Sequence, residues 1–201
     1  MNLVDRAKNM ILTPKTEWLV VDAETPDPPK ILTGYVIPLV LLGAAAAFVG
    51  YGLIGFSMLG VKIAGINWGL YYAVNQIIIG IASVYITAFV VDALAPSFGS
   101  EKNFGKSFQL VAYGATPSLL AGILAILPML AGIASLAAVI YTVYIWYIGI
   151  GPLKRTPEDK RVVYLVIIFI VLIVVYAIIG TLATRLLMPA FGLSFGSPLG
   201  L

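Results

Sequence analysis

Five long apolar stretches constrain this chain more than any other feature. They cover residues 34–57, 68–91, 108–127, 130–153 and 162–187. The first contains no charge from Val36 to Phe56, and the last none from Val162 to Thr184. A helix needs about 20 apolar residues to cross a hydrocarbon core of about 30 Å. The pattern therefore predicts an all-α integral membrane protein with five transmembrane helices.

The composition agrees with a chain embedded in a bilayer and excludes several kinds of site. Hydrophobic residues make up 61% of the sequence and charged residues 10%, against about 25% charged in soluble domains. There is no cysteine and no histidine, which removes disulfides, Cys/His zinc sites and His- or Cys-based catalysis. A Ser or Thr nucleophile would need a Lys base, and no Lys lies inside a predicted span. We therefore expect no enzyme activity, no metal and no cofactor.

The 12 basic residues are divided unequally between the two sides of the predicted spans. Only Lys62 and Arg185 lie on one side, and the other ten lie before span one, between spans two and three, or between spans four and five. Lys and Arg accumulate in cytoplasmic loops, so the N-terminus is predicted to be cytoplasmic and the C-terminus to lie on the far side. The basic residues form no continuous stripe, so we expect no nucleic-acid binding.

This topology divides the chain into three regions. Residues 1–33 are predicted as a cytoplasmic N-terminal segment, residues 34–187 as the membrane domain and residues 188–201 as a short far-side tail. The first thirty residues contain charges throughout and no apolar core of a signal peptide, so insertion is expected to begin with an uncleaved span.

The N-terminal segment has its own pattern. Leu3, Ala7, Met10 and Ile11 share one helical face, which predicts an interfacial amphipathic helix. Trp18 follows and is predicted at the headgroup boundary. Asp22 to Pro29 contains three carboxylates and three prolines, which predicts an extended cytoplasmic linker.

Polar side chains inside the spans are few, and none is ionisable at mid-membrane. They form a candidate intramembrane polar cluster of Asn75, Gln76, Thr116, Ser118, Tyr141 and Thr142. Such groups either join helices by hydrogen bonds or line a solute pocket, and the sequence leaves both interpretations open. Asp92, at the cytoplasmic end of span two, is predicted to meet water or Lys106, so its change to Asn should be tolerated.

Span three carries a candidate helix-packing surface. Gly114, Ser118 and Gly122 recur every four residues, which lets another helix approach closely. Pro117 has no N–H to donate to the Tyr113 carbonyl, so it predicts a kink in which that carbonyl meets a neighbouring helix or Thr116.

Two further groups lie toward the cytoplasmic ends of spans four and five. Tyr141, Tyr144, Trp146 and Tyr147, with Tyr164 in span five, are typical of an interfacial aromatic belt. Lys154, Arg155, Lys160 and Arg161 form the densest basic patch, which is suited to anionic lipid or to a partner.

Three segments resemble the bacterial branch of the Yip family, the Ypt/Rab-interacting membrane proteins. They are Arg6 to Trp18 (RAKNMILTPKTEW), Phe98 to Pro117 (FGSEKNFGKSFQLVAYGATP) and Tyr144 to Leu153 (YIWYIGIGPL). The resemblance implies a short cytoplasmic N-terminal segment, five spans and a very short far-side tail. For a short bacterial-type member it also implies a location in the bacterial inner membrane.

Eukaryotic members of this family take part in vesicle trafficking and bind lipid-modified small GTPases. They carry a long cytoplasmic domain with an Asp-Leu-Tyr-Gly-Pro motif, and the sequence contains neither. The resemblance therefore transfers no GTPase role and no catalytic residue. We expect a non-enzymatic protein that binds or organises membrane components, whose partners are the lipid bilayer and other membrane proteins or further copies of itself. The alternative is a small channel or transporter for ions or small solutes.

Overall fold

The computed structural model describes residues 2–58 and 61–193 as seven helices and one short hairpin. The helices are α1 (Leu3–Leu12), α2 (Pro14–Ala23), α3 (Pro28–Ile54), α4 (Ile66–Phe98), α5 (Phe104–Ile126), α6 (Pro128–Lys154) and α7 (Glu158–Ala190). Strands β1 (Phe56–Met58) and β2 (Val61–Ile63) pair antiparallel between α3 and α4. Helices α3 to α7 are each long and apolar enough to cross a membrane, which confirms the five-span prediction.

The first span begins earlier than predicted, at Pro28 rather than at residue 34. The Asp27 carboxylate caps the helix by accepting a hydrogen bond from the Lys30 backbone N–H at 3.1 Å. Prolines fit the first turn of a helix because backbone N–H groups there have no helical partner. The predicted extended linker is therefore wrong at both ends, and only residues 24–27 lie between α2 and α3.

Helix α5 is interrupted where the sequence predicts it. Its α-helical part stops at Gly114 and resumes at Thr116, with Pro117 in the first turn of the second part. The Thr116 hydroxyl donates a hydrogen bond to the Tyr113 carbonyl, which has lost its usual helical partner. This confirms the predicted kink.

Helix α5 lies at the centre of the bundle and α7 at its edge. Half of the apolar window of α5 is buried, against 22% for α7. Helix α5 packs against α3, α4 and α6, whereas the main contacts of α7 with other spans, among the described residues, are with α4 and α6. The centre of the fold is thus the helix that contains the polar, glycine-rich segment from Gln109 to Gly122.

Helices α1 and α2 form an N-terminal hairpin (Leu3–Ala23) that packs into the bundle. The amphipathic face of α1 is confirmed in part, since Ala7 and Met10 are buried while Leu3 and Ile11 are partly exposed. Trp18 is fully buried, and its Nε1 donates to the Ile145 carbonyl at 3.0 Å. Trp18 therefore packs inside the bundle, and its depth relative to the headgroups stays a prediction.

The depth of the hairpin follows from its contacts with α6. Ile145 precedes the helix end at Lys154 by nine residues, or about 14 Å at 1.5 Å per residue. The Tyr141 hydroxyl, four residues deeper, donates to the Ile11 carbonyl at 2.6 Å. The hairpin thus descends alongside α6, and its turn at Thr13 lies far from the end of the bundle.

Candidate functional site

A cavity of about 710 Å³, the N-terminal cavity, lies between α1, the start of α3 and α5. It is lined by Asn2, Leu3, Arg6, Glu24, Thr25, Pro26, Asp27, Pro28, Lys30, Ile31, Gly34, Tyr35, Gln109 and Tyr113. This volume falls within the range of about 300–1,000 Å³ that small-molecule sites occupy. Sequence reasoning missed this site because its walls come from segments far apart in the chain.

The rim of the cavity is the link between α2 and α3, which is held against the start of α5. The Lys106 ammonium donates to the Asp22 carbonyl at 2.6 Å and to the Glu24 carbonyl at 3.3 Å. Pro26 lies against Gly105, where an added Cβ would come within 2.6 Å of the proline ring. These contacts keep the carboxylates of the link beside the cavity.

One wall is formed by the buried guanidinium of Arg6, which is only 4% exposed. Its Nη1 donates to Glu17 Oε1 at 2.6 Å, its Nη2 pairs with Glu24, and its Cζ lies 4.8 Å from the Tyr113 ring centre. A buried ion pair is costly to break, since removal of one partner costs about 3–5 kcal/mol. The ion pairs thus join α1 to α2 and to the link after it, while the contact of Arg6 with the Tyr113 ring joins the N-terminal hairpin to α5.

The floor of the cavity contains an unpartnered acceptor. Gln109 is 1% exposed, and its Oε1 has no hydrogen-bond partner in the described part of the chain. Beside it, the Tyr35 hydroxyl and Thr116 Oγ1 lie 2.6 Å apart, and the Tyr35 and Tyr113 rings meet edge to face. Buried polar atoms are nearly always hydrogen-bonded, so this enclosed oxygen is a local cost to the stability of the fold.

The charges around the cavity balance. Arg6 and Lys30 contribute two positive groups, and Glu24 and Asp27 contribute two negative ones. Arg6 is already paired, whereas the Lys30 ammonium forms no ion pair with any described residue. Glu24 is paired with Arg6 as well, so among the described residues that line the cavity the Lys30 ammonium and the Asp27 carboxylate are the charged groups without an ion pair.

A second buried ion pair lies where α4, α5 and α6 end or begin. Lys154 is fully buried, and its Nζ donates to Asp92 Oδ1 at 3.1 Å, Ser107 Oγ at 2.7 Å and the Asn103 carbonyl at 3.2 Å. The prediction that Asp92 meets water or Lys106 is therefore wrong. Lys106 instead pairs with Asp22 at 3.5 Å.

The contact of Ser107 with Lys154 resembles a Ser–Lys catalytic pair only in its distance. The Lys154 Nζ donates to three acceptors, one of which is the Asp92 carboxylate, so its contacts are those of a buried counter-ion. Ser107 is fully buried and lines neither of the two cavities described for the chain. The arrangement holds three helix ends together.

The predicted basic patch does not form one surface. Lys154 is buried in the ion pair just described, and Arg161 lies over Gly151 with its Nε donating to the Thr156 carbonyl at 3.2 Å. Arg155 is exposed but pairs with Asp22 at 2.9 Å, and Lys160 is exposed. Lys154 and Arg161 therefore make structural contacts, whereas Arg155 and Lys160 are exposed to solvent.

The candidate intramembrane polar cluster is likewise divided into separate interhelical contacts. Ser118 and Thr142 hydroxyls lie 3.0 Å apart, Thr116 bonds to Tyr35, and Tyr141 bonds to the N-terminal hairpin. The Gln76 amide lies at the meeting point of two glycines, Gly43 and Gly122. Asn75 is half-buried and joins none of these contacts.

The candidate helix-packing residues contact two different helices. A Cβ on Gly114 would overlap the Trp146 indole of α6, and Ser118 bonds to Thr142 of the same helix. Gly122 instead faces α3, where a Cβ would lie 3.7 Å from the Gly43 Cα. Pro117 is buried beside the break in α5.

An apolar groove of about 490 Å³ separates α6 from α7 on the outside of the bundle. Tyr144, Tyr147, Val166 and Ile170 are among the residues that line it. Tyr144 and Tyr147 are partly exposed in this groove, whereas Tyr164 is fully buried and donates to the Val91 carbonyl. The predicted aromatic belt therefore loses Tyr164 and Trp146, which are core residues.

Comparison with known proteins agrees with this architecture. The family model of the Yip1 domain matches residues 8–179, which is most of the chain. No curated protein and no solved structure gives a significant match. The matched range runs from the N-terminal hairpin into α7 and includes most of the residues that line the N-terminal cavity, and the chain therefore belongs to the Yip family of membrane proteins.

Proposed function

We propose that this Yip-family protein is a non-enzymatic membrane protein that binds and organises other membrane components at one end of its bundle. The observation that carries this proposal is the N-terminal cavity, which has the volume of a small-molecule site and is lined by the charged side chains of Arg6, Glu24, Asp27 and Lys30. All nine acidic residues and ten of the 12 basic ones belong to the same side of the spans. Binding chemistry is therefore concentrated at that end.

We place this end in the cytoplasm, with the C-terminus on the far side. The distribution of Lys and Arg supports this orientation. The location that follows for a bacterial-type member is the inner membrane. Partners at this end are the bilayer itself and other membrane proteins or further copies of the chain.

The rival function is a channel or transporter. In a channel or transporter, polar groups line a continuous route for the solute across the membrane. The described mid-bundle hydroxyls instead bond to one another in separate pairs, such as Tyr35 with Thr116 and Ser118 with Thr142. This pairing supports a binding role over a transport role.

The deciding experiment combines reconstitution with crosslinking. Purified protein in liposomes should give neither ion conductance nor uptake from a panel of small solutes. A photocrosslinker at Thr33, which is exposed beside the N-terminal cavity, should capture membrane components that one at the exposed Leu136 of α6 does not. Robust flux that Gln76→Leu or Asn75→Leu abolishes would overturn the binding role and establish the transporter.

A further inference from the structure

We propose that the outward face of the N-terminal hairpin inserts into the cytoplasmic leaflet and binds anionic phospholipid there, which rests on the proposed function and names one membrane component that the protein recognises. This outward face consists of Val4, Lys8, Leu12, Lys15, Leu19 and Val20. Three observations carry the proposal: apolar side chains that point away from the bundle, the depth at which they lie, and two lysines without an ion pair beside them.

The outward face has an apolar surface that the protein leaves uncovered. The side chains that point into the bundle, such as Met10 and Trp18, are fully buried. By contrast, Leu12 is 65% exposed and Leu19 is 64% exposed, and both lie on an otherwise polar N-terminal segment. Transfer of such surface out of water is favourable. An apolar environment therefore suits the outward face better than the aqueous phase does.

The depth of this face follows from its contact with α6. The Tyr141 hydroxyl donates to the Ile11 carbonyl at 2.6 Å, so the adjacent Leu12 lies at the level of Tyr141. Tyr141 follows the start of α6 at Pro128 by 13 residues, or about 20 Å. With Pro128 at the far boundary of a core of about 30 Å, Leu12 lies about 10 Å inside the near boundary. Amphipathic helices insert their apolar faces about 5–10 Å into this boundary.

Two lysines give the outward face its charge. Lys8 and Lys15 are exposed and form no ion pair with any described residue. The carboxylates of the hairpin are engaged elsewhere, since Glu17 and Asp22 form ion pairs and Asp5 accepts a hydrogen bond at the start of α1. A lysine near the boundary extends its ammonium to the headgroups while its stem stays among the acyl chains.

Charge and depth together favour an anionic lipid as the occupant. The phosphate of a zwitterionic lipid already has its own ammonium, whereas an anionic headgroup has a net charge for Lys8 and Lys15 to neutralise. A second copy of the chain fits less well. A two-fold contact uses the same patch on both subunits, so it would bring these lysines toward each other.

The test measures which lipid lies beside the hairpin. The full chain has no cysteine, so Leu12→Cys is labelled with a bimane fluorophore at one position and reconstituted in phosphatidylcholine vesicles. Quenching by spin-labelled phosphatidylglycerol is compared with quenching by spin-labelled phosphatidylcholine at the same mole fraction. We expect phosphatidylglycerol to associate more tightly by about fivefold for each lysine, which corresponds to about 1 kcal/mol. Equal quenching by the two lipids would overturn the proposal.

Iodide in the aqueous phase tests the depth. The bimane on Leu12→Cys should be protected from iodide, whereas a bimane on Lys102→Cys, in an exposed loop, should be quenched strongly. Equal quenching of the two positions by iodide would show that the hairpin lies in water. Protection of Leu12→Cys from both iodide and spin-labelled lipid would show that a protein surface covers it, and either result would overturn the proposal.

A pair of charge variants locates the lipid preference. Lys8→Gln combined with Lys15→Gln should abolish the preference for phosphatidylglycerol and leave the melting temperature unchanged, because both side chains are exposed and unpaired among the described residues. Lys102→Gln combined with Lys160→Gln is the matched control. These lysines are also exposed without an ion pair at the same end of the bundle.

The preference should survive in the control variant. A preference that persists without Lys8 and Lys15, or that falls equally in both double variants, would show that the lipid responds to the net charge of the protein, which would overturn the proposal. Flux in the liposome experiment with a retained lipid preference would overturn the organising role alone. Equal quenching by the two lipids without flux would overturn the lipid assignment alone.

Discussion

At the scale of single residues, the Asp92–Lys154 pair determines how the helix ends meet. Its members lie 62 positions apart, and the other two acceptors of the Lys154 ammonium, Ser107 and Asn103, come from a third segment. In the sequence, Asp92 and Lys154 are each a single charged residue at the end of an apolar stretch. Only the contact reveals that Lys154 has no exposed surface and that Asp92 is its counter-ion.

The structure therefore reverses the expected tolerance of Asp92. Asp92→Leu should lower the stability by about 3–5 kcal/mol because it leaves a buried ammonium without its counter-ion, and Lys154→Met should cost a similar amount. The double variant should recover most of the loss, since an apolar pair needs no desolvated charge. Thermal unfolding in one detergent measures all three.

The control for this prediction is the neighbouring pair of Arg155 and Asp22. Arg155 is 62% exposed, so Arg155→Met should cost less than about 1 kcal/mol. If Asp92→Leu unfolds no earlier than Arg155→Met, the Asp92–Lys154 pair does not hold the helix ends.

At the scale of elements, α5 is the helix on which α3, α4 and α6 pack. Gly114 admits the Trp146 indole of α6, and Gly122 admits α3 at Gly43, so the same small-residue series brings two helices close. Ser118 adds a hydrogen bond to α6 between these two contacts. The close approach at both ends depends on the absence of a side chain.

We expect Gly122→Leu and Gly114→Leu to destabilise the bundle, the latter more strongly because its neighbour is a buried indole. Overpacking of this kind costs about 1–3 kcal/mol. Gly132→Leu on α6 is the control, since a Cβ there meets nothing within 4 Å. The melting temperature of each variant is measured in detergent. Equal values for Gly122→Leu and Gly132→Leu would show that the packing of α3 against α5 does not require a glycine at position 122.

The same scale separates what the sequence predicts from what it does not. The five spans follow from apolar length, and the break in α5 follows from Pro117, because both depend on local chemistry. The depth of the N-terminal hairpin depends on the bond from Trp18 to Ile145, 127 residues away, which no local pattern encodes. In the sequence, Gln109 is one polar residue near the end of a span. Only the structure shows that it lies on the floor of a cavity.

At the scale of the whole molecule, charge and packing are concentrated at the same end. The ion pairs of Arg6, Lys106 and Lys154 connect the N-terminal hairpin and the loops beside it. At the opposite end, the turn between α5 and α6 contains only apolar residues, with Met129 85% exposed. This asymmetry requires the molecule to have a fixed orientation across the membrane if its charged end is to meet its partners.

Cysteine labelling tests that orientation, and the chain has no native cysteine to interfere. Ser100 is unsuitable because it is buried against Thr156, whereas Lys102 is exposed in the adjacent loop. An impermeant maleimide should label Met129→Cys in sealed right-side-out vesicles and should label Lys102→Cys only after permeabilisation, because Lys and Arg favour the cytoplasmic side. The reverse pattern would place the N-terminal cavity on the outside, where no cytoplasmic component could reach it.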